Sequence, residues 1–130
     1  MTIVEFLEAR IAEDERDAND ATGASWVVLP GVDVSMVNID ARLVRDDKWK
    51  FGRLGHIATT SHDAAYAEHI ARWDPARVVA ECAAKRAILD QHERAHRVCV
   101  TCEREFPCPT LEIMAAVYSD HPDYDEEWAL

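Results

Sequence analysis

The sequence predicts an α+β protein, a small antiparallel sheet packed on three to four helices. Three observations carry this reading. Apolar residues recur at helical spacing in the first twenty positions and again after residue 61. The stretch between them is broken by Gly23, Pro30, Gly31, Gly52 and Gly55, with short β-branched and aromatic runs in the gaps. The segment after residue 98 carries three cysteines with metal-ligand spacing, which makes the C-terminal part a candidate for stapling by a zinc ion.

Taken in order, residues 1–20 form the first helix. Thr2 and Glu5 make a T-x-x-E capping box, which satisfies backbone N–H groups left open at a helix start. Ile3, Leu7 and Ile11 lie four apart, with Val4 and Phe6 beside them, and form a core-facing stripe that fades into charge after Ala12. Residues 23–58 are read as a sheet of about three strands, drawn from the runs Trp26 to Leu29, Val32 to Ile39, Leu43-Val44 and Trp49 to Phe51, with Asp46-Asp47 able to turn the chain between Val44 and Trp49. Val32, Val34 and Met36 alternate with Asp33 and Ser35, as in a half-buried strand.

Residues 61–97 are read as helices. Thr60 and Asp63 resemble a second capping box. Asp74-Pro75 then restarts the helix, since Asp caps and Pro tolerates the first helical position. The long helix from Pro75 is expected to reach about His96, with Val78, Cys82, Lys85 and Leu89 on one face and Cys82 a small core residue. Residues 98–130 hold the cysteine turn, a short helix over Leu111 to Tyr118 capped by Thr110, and an acidic tail whose Tyr124 and Trp128 can dock on the body. The whole, 1–130, is expected to be a single domain. Trp26, Trp49 and Trp73 are expected to anchor the core, and His56, His62 and His69 to lie at the surface or in hydrogen bonds.

The formal net charge is −11, which repels phosphates and argues against direct nucleic-acid binding and against anionic membranes. The acids gather at 13–20 and 120–127, where they read as solvated faces. The opening MTIVEFLEARIAEDERD reaches acids within five residues and has no long apolar stretch, so a cytoplasmic setting is expected. In a reducing compartment, cysteines serve as ligands or free thiols before disulfides.

Cys99-x2-Cys102 lets two thiolates converge on one tetrahedral ion, and Cys108 follows in a stiff Pro-Cys-Pro setting ahead of a helix N-terminus. Three nearby cysteines favour zinc over an iron–sulfur cluster, and His92 or His96 can supply the fourth donor. His92 to His96 also spells H-E-x-x-H, which on a helix can bind zinc and use Glu93 to activate water. That chemistry needs a third ligand, for which His121, Glu112 and Glu126 are available, and an open coordination position; the adjacent thiolates would close it. No catalytic residue is assigned.

The runs HIARWDPARVVAECAAKRAILDQH, CVTCEREFPCPTLEIMAAVYSDHPDYDEEW and IVEFLEARIAEDE resemble an uncharacterised family, a domain of unknown function in small proteins of actinobacteria and their phages. Its pattern runs H-I-A-R-x-D-P-A-R-V, K-R-x-I, a His, C-x2-C, P-C-x-T-L and Y-A-D-H-P-D-Y; this chain has Ser119 where the family has Ala. The resemblance implies a metal set of His92, Cys99, Cys102 and Cys108, and makes the H-E-x-x-H match incidental. It lends no activity. The expected function is a non-enzymatic protein-binding or adaptor role with structural zinc, the partner being another protein. The alternatives are an acidic mimic of nucleic acid that blocks a DNA-binding enzyme, and an H-E-x-x-H metallohydrolase.

Overall fold

The computed structural model describes residues 1–21, 25–30, 34–39, 56–61 and 64–129. Among these are four α-helices and two antiparallel sheets, the predicted α+β class. The chain divides into two compact units, residues 1–15 with 81–130 and residues 16–80.

The second unit holds a three-stranded sheet in the order β1-β2-β3, with β1 Trp26–Pro30, β2 Val34–Ile39 and β3 His56–Ser61. Trp26 lies opposite Ile39 and Pro30 opposite Ser35, while Val34 lies opposite Ser61; the β2–β3 register shifts between Val37 and Asn38. Pro30, which has no N–H to give, sits at the end of an edge strand. Helix α1 (Ile3–Asp20) brings its last turns into this unit, and α2 (Ala64–Arg72) lies against all three strands. Val37 and Ala67 are fully buried. Helix α3 (Pro75–Gln91) starts as predicted: Asp74 Oδ1 accepts from the Arg77 N–H at 2.8 Å. Its Oδ2 accepts from the Trp26 N–H at 3.1 Å, so one cap also ties down the first strand.

The structure differs from the sequence reading at the third strand and at Trp73. The third strand described is His56–Ser61, so the sheet runs past residue 58, and Thr60 is a buried strand residue rather than a helix cap. Its β-branched Ile57, Thr59 and Thr60 suit a pleated surface, a signal hidden among polar neighbours. The strands expected at 43–44 and 49–51 lie outside the described residues, as do Asp63, Trp49 and His62. Trp73, expected in the core, is 46% exposed, with the Arg77 guanidinium 3.9 Å above its ring. Trp26 is half-buried and His69 exposed.

In the first unit the Thr2–Glu5 box forms as predicted: the Thr2 N–H donates to Glu5 Oε2 at 2.7 Å and the Glu5 N–H to Thr2 Oγ1 at 3.3 Å. Ile3, Phe6, Leu7 and Ile11 are buried, as are Cys82 and Leu89 of α3. Phe6 is the centre of the packing. Trp128 stands 5.1 Å from it, Tyr124 6.0 Å and Tyr118 6.2 Å, so the acidic tail docks through its aromatics. Part of the acidic run is matched by cations rather than solvated. Asp14 accepts from Lys85 Nζ at 3.3 Å and from the Tyr118 hydroxyl at 2.6 Å, and Lys85 donates to that hydroxyl at 2.7 Å. Glu15 lies 2.8 Å from Arg86 and Glu13 3.2 Å from Arg10.

A candidate metal centre

Helix α3 ends at Gln91, five residues short of the predicted His96. The chain turns there into a two-residue hairpin, β4 (Arg94–Ala95) and β5 (Val98–Cys99), in which Arg94 lies opposite Cys99. His96 sits at the tip with φ 59°, in the left-handed region, and is exposed. The predicted helical residues 92–97 are thus corrected. The i, i+4 geometry on which an H-E-x-x-H site depends is absent from this segment. The hairpin's physical effect is to reverse the chain, so that Cys99 returns beside His92. The Val100 N–H donates to Glu93 O at 3.0 Å and the Thr101 hydroxyl to Gln91 O, which fastens the returning strand to the helix end.

A tight turn then carries Cys102. The Glu103 N–H donates to Cys99 O and the Cys99 N–H to Arg104 O, both at 2.9 Å, and Glu103 takes φ 53° to close the turn. Cys108 is the residue that caps the last helix, α4 (Pro109–Ala115), with Pro109 at its first position. Thr110, expected as that cap, lies inside the helix, and its Oγ1 is 3.7 Å from Cys102 Sγ. The helix tightens into a 3₁₀ turn at Ala116–Tyr118.

These elements bring together His92, Cys99, Cys102 and Cys108, with all four donor atoms within 4.8 Å of one another. Cys99 and Cys108 are fully buried, while His92 and Cys102 are half-buried. His92 Nδ1 is 3.4 Å from Cys99 Sγ, 3.3 Å from Cys102 Sγ and 3.6 Å from Cys108 Sγ. A ring nitrogen carries at most one hydrogen, so hydrogen bonding accounts for one such contact and not three. A shared tetrahedral ion accounts for all of them. With zinc–sulfur bonds of ~2.3 Å and a zinc–nitrogen bond of ~2.0–2.1 Å at tetrahedral angles, nitrogen and sulfur should lie ~3.5–3.6 Å apart.

The electrostatics are uneven. Burial works against the Cys99 thiolate. The backbone N–H groups of Cys102 and Thr101 and contacts with His92 and Cys108 outweigh it, and bring the thiol down to about 6. Burial pushes the Cys108 thiol up, as do the neighbouring sulfurs of Cys99 and Cys102, against the N–H groups of Leu111 and Thr110. Three thiols this close are held jointly as thiolates only beside a cation.

His96 stands outside the cluster, as do His121, Glu112 and Glu126, the ligands considered for a hydrolytic site. His121 instead accepts from the Arg10 guanidinium through Nδ1 at 2.7 Å. Cys82 is buried apart from the cluster, where burial raises its thiol, as expected of a core residue. No described helix is long and apolar enough to cross a membrane.

Neither a curated protein nor a solved structure matches the chain. One family model does match, over residues 1–130, and the chain accordingly belongs to the family described as Family of unknown function (DUF6221).

Proposed function

We propose that the protein is a small non-enzymatic protein-binding protein whose C-terminal half is held by one structural zinc ion on His92, Cys99, Cys102 and Cys108. The observation that supports this most is the ring of three sulfurs 3.3–3.6 Å from a single imidazole nitrogen. Four protein donors fill a tetrahedral zinc ion and leave no position for water or substrate, which is the mark of a structural rather than a catalytic site. The ion would join the end of α3, the hairpin and the start of α4. Its binding free energy would then become folding free energy.

With no open metal position, the molecule's work falls to its surface, and this supports an adaptor role over hydrolysis. The pairing of Glu13, Asp14 and Glu15 with cations of the same molecule weighs against an acidic mimic, which needs its carboxylates free. A cytoplasmic setting, in actinobacteria or their phages, is part of the same proposal: it follows the motif resemblance and the preference of reduced cysteines for metal.

Cobalt substitution tests the closed site. Cobalt(II) bound by three thiolates and one imidazole should give intense tetrahedral bands with sulfur-to-metal charge transfer, unchanged by added azide. A weak octahedral spectrum, or one that azide shifts, would show an open site and return hydrolysis to consideration.

A further inference from the structure

Beside the metal cluster, within the same unit, lies a groove of about 420 Å³. Val4, Leu89 and Phe106 give it an apolar lining: Leu89 is buried, and Val4 and Phe106 are half-buried. Glu8, Asp90 and Glu93 also line it, and all three are exposed. We propose that this groove docks a basic segment of a partner protein, one that places an apolar side chain such as leucine between lysines or arginines. The inference rests on the zinc reading for one of its contacts and deepens the protein-binding role.

Charge supports this occupant. The acids that follow on α1 are matched, Glu13 by Arg10, Asp14 by Lys85 and Glu15 by Arg86. Glu8, Asp90 and Glu93 have no cation within ion-pair distance among the described residues. Arg94 also lines the groove, but its guanidinium stands 5.9 Å over the Phe106 ring and its Nε donates to His96 O. A divalent ion with three thiolates and a neutral imidazole is itself a monoanion, which adds to the negative field at the groove's edge. The exposed carboxylates of Glu8, Asp90 and Glu93 around this apolar lining complement a cationic segment, whose apolar side chain fills the groove.

His92 supplies the third contact. With Nδ1 turned to the sulfurs, its other ring nitrogen must carry the proton, and metal-bound histidines donate that N–H to an acceptor almost without exception. Among the described residues Nε2 has no such acceptor, and His92 lines the groove. A backbone carbonyl of the docked segment fills the role. The groove has room for one or two side chains, so the contact is a short linear segment and not a domain face.

The probe is the end-capped pentapeptide Lys-Leu-Lys-Leu-Lys, titrated into ¹⁵N-labelled, zinc-loaded full-length protein, with Glu-Leu-Glu-Leu-Glu as control. Saturable shifts should gather at the amides of Val4, Glu8, Leu89 and Glu93 and at the His92 Nε2 proton, and the acidic peptide should cause none. The surface double variant Glu8→Lys/Glu93→Lys should weaken binding about tenfold, since each reversal turns an attraction into a repulsion. Its zinc content and Tm should stay as in the parent. Absence of shifts, or shifts spread over residues 13–20 and 120–127, overturns the docking groove and leaves the zinc reading standing. A sample without zinc that still shifts at Val4 and Leu89 overturns the zinc reading and the His92 contact, and leaves the groove standing.

Discussion

Replacing Cys108 by alanine separates the metal's contribution from ordinary packing. Cys108 is fully buried at the position that caps α4, yet its side chain makes no capping hydrogen bond. Alanine therefore costs little as a cap, and the lost sulfur leaves a small void worth about 1 kcal/mol. As a zinc ligand it matters far more. Structural zinc contributes roughly 10–16 kcal/mol in small domains, so one ligand in four corresponds to roughly 2.5–4 kcal/mol. A chain of 130 residues unfolds with an entropy of about 0.27 kcal/mol/K, and the loss amounts to a drop in Tm of about 9–15 °C. The assay is thermal unfolding of parent and variant, each with and without a strong chelator. The parent should fall sharply on chelation. Without metal, parent and variant should differ by no more than about 4 °C. An equal gap between them with and without chelator would refute the reasoning, because the thiol would then act by packing alone.

Tyr118→Phe removes a hydroxyl that donates to Asp14 and accepts from Lys85, and should cost about 1–2 kcal/mol after allowance for the partial exposure of both charges, or about 4–7 °C in Tm. A change under 1 °C would show that water replaces the hydroxyl. Glu103→Gly relieves a left-handed residue at φ 53° and should raise stability by about 1 kcal/mol in a denaturant titration with zinc content unchanged; destabilisation would mean the side chain has a role of its own. The capping hydrogen bonds from the backbone and side chain of Thr2 hold the Glu5 carboxyl below its ordinary 4.5. A depressed carboxyl stabilises the fold above that value and loses its contribution as pH falls through the folded value. Glu5→Gln should flatten the stability curve below about pH 4.5. An unchanged acid slope would assign the loss to other carboxylates.

Local chemistry was the most legible part of the fold. The Thr2–Glu5 box, the Asp74-Pro75 restart and the stripe of Ile3, Leu7 and Ile11 each need only residues within one or two turns, and each stands where the pattern put it. The C-x2-C spacing likewise marks a local turn, and the four proposed ligands lie together. What was misread depends on distant partners. Residues 92–97 carry helix-compatible side chains, and only the need to bring Cys99 back to His92 makes a hairpin of them. Strand His56–Ser61 is decided by its pairing with Val34–Asn38 and not by its own composition. Trp73 follows the helical stripe in sequence but lies at the surface under Arg77, since a short helix packed on a sheet buries one face and Ala67 occupies it. The groove left no pattern of its own, because Val4, Leu89 and Phe106 belong to three separate segments that only the folded unit gathers.

The most direct test of the central claim is X-ray absorption at the zinc edge on protein whose metal content has been measured. The account predicts one zinc per chain, with three sulfurs at about 2.3 Å and one nitrogen at about 2.0–2.1 Å. Protein purified without metal that folds as well as the zinc-loaded form, or zinc surrounded by nitrogen and oxygen alone, would contradict it.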